Sequence, residues 1–183
     1  MMKKIPSLFL RNYNGDRLVR NEVNIKCKWV LDGEGIATRK WDGTSVLIQK
    51  GKMYKRREIK FGKSIPNYFI EVDRDDKMKK IYGWFPVFDG PEDEWHLQGL
   101  RNSGTLCDGT YELCGPKVNG NPEKLDTHIL IPHGEFIYED CPRTFVEIKK
   151  WLEDKDIEGI VWWNEDGRKA KIKKKDFGMG RNY

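Results

Sequence analysis

Histidine and cysteine are scarce in this 183-residue sequence, and those present are scattered. Cys27, Cys107, Cys114 and Cys141 form no Cys-x-x-Cys pair. His96, His128 and His133 do not flank them at finger-like spacing, which argues against a structural zinc site. No apolar run reaches the length of about 20 residues that a membrane-spanning helix needs. The opening Met1-Met2-Lys3-Lys4-Ile5-Pro6 lacks the apolar centre of a signal peptide. These absences lead us to expect an intracellular, cytoplasmic protein with reduced thiols.

What is present is a folding composition. Apolar residues make up 38%, charged residues 34% and aromatics 12%, too many large apolar side chains for a disordered chain. The length suits one domain over residues 1–183, short of the size at which a second independent core is expected. Net charge is +5, from 34 basic and 29 acidic side chains, a modest excess whose placement says more than its size. Lysine and arginine cluster at 50–63, 77–80 and 168–175, and clusters of this kind attract polyphosphate or a nucleic-acid backbone. For Lys77-Met78-Lys79-Lys80 a solvated face is the simpler reading.

The informative stretch is Ala37-Thr38-Arg39-Lys40-Trp41-Asp42-Gly43-Thr44-Ser45-Val46. A lysine amine attacks phosphorus only when neutral, so a site built on Lys40 must disfavour its ammonium form by desolvation or by nearby positive charge. Gly43 leaves room for a ligand near the backbone, and Asp42 shares the Lys40 face if the segment is extended. Taken alone, Asp-Gly between two apolar runs describes a hairpin turn.

Downstream patterns supply companions. Residues 45–49 and 53–57 read as a hairpin about Lys50-Gly51-Lys52, with Tyr54 and Arg56 on one side and Lys55 and Arg57 on the other. An outer hairpin turns at 12–16, and Cys27 to Leu31 is a β-branched and aromatic run. Segment 64–82 carries mixed strand and loop signals. Residues 92–100 suit a short helix with Trp95 and 97–100 on its apolar side. Strand 110–114 puts Tyr111 and Leu113 on one side and Glu112 on the other, where the carboxylate needs a partner. Phe136-Ile137-Tyr138 suits another extended segment. Phe145, Ile148, Trp151 and Leu152 recur at helical spacing, with Thr144 as N-cap and Glu147 as capping-box partner. Residues 157–163 then form a strand bearing Glu158. Asn164-Glu165-Asp166-Gly167 is a turn, and the return strand places Lys171 and Lys173 on one face.

In order, Lys40-Trp41-Asp42-Gly43-Thr44, Tyr54-Lys55-Arg56, Tyr111-Glu112-Leu113, Glu158-Gly159-Ile160-Val161 and Lys171-Ile172-Lys173 resemble the motif set of the covalent nucleotidyltransferases. That superfamily contains ATP-dependent RNA ligases, DNA ligases and mRNA capping guanylyltransferases. Within it the chain resembles a small-domain RNA ligase family, to which Ile5-Pro6-Ser7-Leu8-Phe9, 33–40, 112–117 and Asp176-Phe177-Gly178 also correspond.

The resemblance implies an α+β nucleotidyltransferase (adenylation) domain, with antiparallel sheets enclosing a nucleotide cleft and helices flanking them. It makes Lys40 the nucleophile that takes AMP from ATP. Arg56 would contact the nucleotide sugar or phosphates and Glu112 the ribose hydroxyls, with Asp42 in the same nucleotide-binding set. Lys171 and Lys173 would grip the α-phosphate, and Glu158 would hold magnesium or manganese, directly or through water. His133, Phe136 and Tyr138 lie in the interval for the group that stacks on adenine. Arg57, Lys117, Lys174, Lys175 and Arg181 are candidates for holding an RNA backbone. The implied partner is RNA with 5′-phosphate and 3′-hydroxyl ends, with no obligate protein partner. No C-terminal oligonucleotide-binding barrel is expected after Lys173, which favours an RNA ligase over a DNA ligase or a GTP-using capping enzyme. The non-enzymatic alternative is a basic RNA-binding module.

Overall fold

The computed structural model describes residues 3–181. In chain order the strands and helices are β1 (Phe9–Arg11), β2 (Val19–Val23), the one-turn helix α1 (Lys28–Leu31), β3 (Ile36–Lys40), β4 (Thr44–Gln49), β5 (Lys52–Lys60), β6 (Ile70–Asp75), β7 (Lys80–Pro86), α2 (Glu94–Asn102), β8 (Gly109–Cys114), β9 (Ile129–Pro132), α3 (Phe145–Glu153), β10 (Gly159–Trp163) and β11 (Lys169–Lys173). Every pairing between these strands is antiparallel, so the class is α+β with few helices, as the hairpin-rich sequence leads one to expect. Among the described residues no helix is long and apolar enough to cross a membrane.

The chain divides into two compact units, one built on Asp42–His133 and one on Ile5–Trp41 together with the segment from Gly134 onward. Chain length alone anticipates one apolar core, yet buried residues gather in two clusters. The cause is connectivity: β3 and β4 are neighbours in sequence but belong to different sheets, so each sheet must bury an apolar face of its own.

In the Asp42–His133 unit six strands pair in the order β6-β7-β5-β4-β8-β9. Period-two alternation sends Val46, Ile48, Tyr111 and Leu113 to the side where Trp95 of α2 packs. The same alternation turns Ser45 and Glu112, which face each other across β4 and β8, to the other side. Segment 64–82, with its mixed signals, contains β6 and the start of β7, and the Gly83 backbone of β7 lies tight against the Ile70 carbonyl.

In the other unit three strands pair in the order β11-β10-β3. Ile160, Trp162 and Ile172, all fully buried, face α3, which contributes the fully buried Ile148 and Leu152. Burying each such side chain contributes about 1.5–3 kcal/mol. With those residues committed to the core, the partners Lys40, Gly159 and Lys173 share the opposite face, and so do Thr38, Val161 and Lys171.

Two local patterns resolve against their composition. The β-branched and aromatic run Cys27 to Leu31 is helical. Asn24 accepts the Lys26 N–H and starts a 3-10 turn that runs into α1, and Cys27, Trp29 and Val30 enter the core from it. Thr144 does precede α3, but the capping box is not made: its hydroxyl donates to the Glu147 carboxylate at 2.6 Å instead of accepting from the backbone.

Candidate active site

Lys40 is the last residue of β3, and its register partner is Gly159 of β10, which in turn faces Lys173 of β11. A Cβ at position 159 would lie 2.1 Å from the Ile172 carbonyl oxygen and 2.8 Å from the Lys173 Cα, so the close approach of β11 requires glycine after Glu158. Around this point three strands converge on one carboxylate. The Lys40 Nζ donates to Glu158 Oε2 at 2.5 Å, and the Lys173 Nζ donates to Glu158 Oε1. All three side chains are less than one-fifth exposed, so the pairs are shielded from solvent and gain strength accordingly.

The electrostatics follow from this crowding. Burial alone pushes the Glu158 carboxyl up, but Lys40 and Lys173 outweigh it and hold the group below the ordinary carboxylate range. Lys171 has the same neighbours without a bonded anion. Burial, then the charges of Lys173 and Lys40, push its ammonium down to about 8. The weakened ammonium that the sequence places at Lys40 is found instead at Lys171, while Lys40 is held as the partner of Glu158.

The support beneath Lys173 was not visible as such in the sequence. Asp176, 1% exposed, accepts the Lys173 backbone N–H at 3.0 Å and takes the Arg11 guanidinium at 2.5 Å. Lys174 is also buried, its amine donating to the carbonyls of Glu153 and Lys155 at the end of α3, so its role is structural rather than RNA-facing. Arg181 is tied to Asp156, also within this unit.

Register also sorts the candidates for stacking on adenine. Ile137 bridges Thr38, and Arg39 and Tyr138 donate backbone N–H groups to Phe136 and Ala37 respectively. Ile137 therefore shares the Lys40 face, while Phe136 and Tyr138 lie on the reverse side, edge-on to Trp41 and Trp151 respectively. Phe136 and Tyr138 are excluded from the face that carries Lys40.

The remaining site residues of the sequence reading lie in the Asp42–His133 unit. Glu112 is 6% exposed and receives three donors: the Gly43 backbone N–H at 3.2 Å, the Ser45 hydroxyl at 3.1 Å and the His133 Nε2 at 2.8 Å. These supply the partner that a mid-strand carboxylate requires. Asp42 accepts from the Asn119 amide at 3.1 Å, and its own N–H donates to Glu123. β3 ends at Lys40, so the alternation that would place Asp42 on the Lys40 face stops before reaching it. Arg56 lies over the rings of Tyr82 and Trp84, where burial lowers its pKa, while Arg57 lies over Phe85 and is exposed.

Gly43 is another position where the neighbouring backbone leaves no room for a side chain. A Cβ there would sit 2.2 Å from the Leu113 carbonyl oxygen and 2.9 Å from the Glu112 Cγ. Gly43→Ala is expected to cost about 1–3 kcal/mol of stability. Urea denaturation of the two proteins measures this, and an unchanged midpoint would show that the turn can yield.

Among the described residues no three His, Cys, Asp or Glu side chains converge as a metal cluster. Glu158 stands among lysines. A lone carboxylate suits magnesium or manganese only as an ion that arrives with phosphate oxygens and keeps part of its water shell.

Residues 92–182 match the family model described as RNA ligase 1, about half of the chain. Curated relatives share the same description. RNA ligase 1 of Danio rerio is 36% identical over 98 residues, 48% of this chain and 30% of that protein. RNA ligase 1 of Pongo abelii is 36% identical over 83 residues, 40% of this chain and 26% of that protein, and the Mus musculus protein matches at the same identity over 25% of its length. The matched stretch thus spans less than a third of these relatives. The family match contains Glu112, His133, Glu158, Lys171 and Lys173, whereas Asp42, Arg56 and Lys40 precede it.

Proposed function

From its relationship to an RNA ligase family, carried by residues 92–182, we propose that this chain is an ATP-dependent RNA ligase that works through a covalent lysyl-AMP on Lys40. The observation that supports this most strongly is the Glu158 carboxylate shared between Lys40 and Lys173, with Lys171 beside them on one sheet face. Phosphoryl-type transfer needs an in-line nucleophile and positive charge at the equatorial oxygens, which is what one attacking amine and two further lysines offer.

In this reading the Lys40 ammonium passes the proton that pairs it with Glu158 to solvent, its nitrogen lone pair forms a bond to the α-phosphorus of ATP, and a second proton leaves the nitrogen for solvent as the phosphoramidate forms. The bond from that phosphorus to the bridging oxygen breaks, and pyrophosphate leaves with the electron pair. Lys171 and Lys173 hold the α-phosphate oxygens, Glu112 accepts from ribose hydroxyls, and Arg56 and Asp42 serve the nucleotide. A magnesium or manganese ion, held through Glu158 and the phosphates, would supply further charge neutralisation. A 5′-phosphate RNA end then displaces Lys40 from the AMP, and a 3′-hydroxyl attacks that activated end, releasing AMP. The domain is an adenylation domain of the nucleotidyltransferase type, and the protein needs no obligate protein partner in this reading.

End-labelled, 5′-phosphorylated RNA and DNA, single-stranded and nicked, offered with ATP or with GTP, test the proposal. Sealing of RNA with ATP is expected. Sealing of DNA alone, or labelling by GTP alone, would move the assignment to a DNA ligase or a capping-type enzyme. RNA binding with no sealing at all would leave a basic RNA-binding module.

A further inference from the structure

We infer that His133 is a positioning residue that sets discrimination for the nucleotide sugar by fixing the orientation of Glu112, and that its ring is not needed as a stacking surface. The inference rests on the reading that Glu112 accepts from ribose hydroxyls. It deepens that reading by adding a residue the sequence argument grouped with Phe136 and Tyr138 as a flat partner for adenine.

The geometry begins with strand register. Glu112 of β8 faces Ile131 of β9, so two residues further on His133 lies on the same side of the sheet as Glu112. The His133 N–H donates to the Thr110 carbonyl at 3.1 Å, extending the β8–β9 ladder by one residue and fixing where the imidazole starts. Its Nε2 then lies 2.8 Å from Glu112 Oε2, with both side chains largely shielded from solvent. An ionised carboxylate can only accept, so the proton sits on Nε2 and the imidazole is the donor. The Ser45 hydroxyl donates to the same oxygen at 3.1 Å, and the Gly43 N–H donates to the other at 3.2 Å.

Glu112 is therefore held by three donors from two separate segments of the chain before any nucleotide arrives. Each oxygen has two lone pairs; His133 and Ser45 use both on Oε2 and Gly43 uses one on Oε1, so one acceptor position remains, on Oε1, for a sugar hydroxyl, in a direction set by the donors already bound. A carboxylate so held accepts a 2′- or 3′-hydroxyl without reorganising. A site built to accept a hydroxyl rejects the analogue that lacks it.

The experiment measures the rate of covalent labelling by ATP, 2′-deoxy-ATP and 3′-deoxy-ATP in wild type, His133→Phe, His133→Gln and Ser45→Ala of the full chain. Wild type is expected to favour ATP over at least one deoxy analogue by on the order of 10- to 100-fold. His133→Phe keeps a flat ring but no donor, and is expected to bring that ratio within about threefold, mainly by raising KM for ATP. His133→Gln restores a donor without a ring and is expected to recover most of the ratio. Ser45→Ala shifts it in the same direction as His133→Phe, by less. Wild-type discrimination in His133→Phe, or loss in Phe and Gln alike, overturns the inference while ATP labelling of wild type still stands. No labelling of wild type by any of the three nucleotides overturns the ligase reading itself.

Discussion

Lys40→Ala is expected to take no label from α-labelled ATP, a fall of at least about 10⁴-fold, because the bond that retains AMP is made by the side chain removed. The expectation is not trivial, since two other amines share the face. Lys173 is bonded to Glu158, but burial and neighbouring charge push the Lys171 ammonium down to about 8. If a neutral amine were all that mattered, Lys171 would be the nucleophile and the Lys40 variant would still be labelled. Lys40→Arg separates chemistry from folding, because it keeps a cation opposite Glu158 while removing the amine. It should melt like the wild type and remain unlabelled.

Lys171→Met is expected to move activity and stability in opposite directions. Without that cation the α-phosphate loses a donor at the developing charge, and labelling should slow by about 10²–10³-fold. The folded protein, however, is relieved of a half-buried ammonium. An ammonium whose pKa falls from 10.5 unfolded to about 8 folded carries a penalty that is fully present below pH 8. Between pH 8 and 10.5 the unfolded chain binds more protons, so wild-type stability contributed by this group rises with pH, and above 10.5 the penalty is gone. The methionine variant should therefore be more stable at pH 7 by about 1–3 kcal/mol and lack that rise. Denaturant titrations of both proteins at pH 7 and 10 measure it. Equal stability at both pH values would mean that water reaches the Lys171 amine in the folded state.

Much of the local structure was legible in the sequence because it is governed by short-range rules. The turn at 164–167 and period-two alternation place Lys171 and Lys173 on one face, and that is where β11 carries them. The apolar spacing of 145–152 gives α3 its buried side. Failures arose where a nearby polar group chose a different partner. Asn24 starts a helical turn ahead of a β-branched stretch, and the Thr144 hydroxyl bonds a side chain in place of a backbone N–H.

The candidate site is visible in the sequence as residue types in order, and its contacts are not. Glu158 is 118 positions from Lys40, and nothing local shows that it binds two lysines at once. That Phe136 and Tyr138 turn away from Lys40 follows only from the pairing of Ile137 with Thr38. The support given by Arg11 to Asp176, and by His133 to Glu112, joins segments whose separation in the chain hides it.

The most direct measurement is to locate the AMP: label the wild type with ATP, digest it under conditions that preserve a phosphoramidate, and sequence the modified peptide by mass spectrometry. The account expects AMP on Lys40 and on no other residue. AMP on Lys171, or a protein that seals RNA without ever carrying AMP, would contradict it.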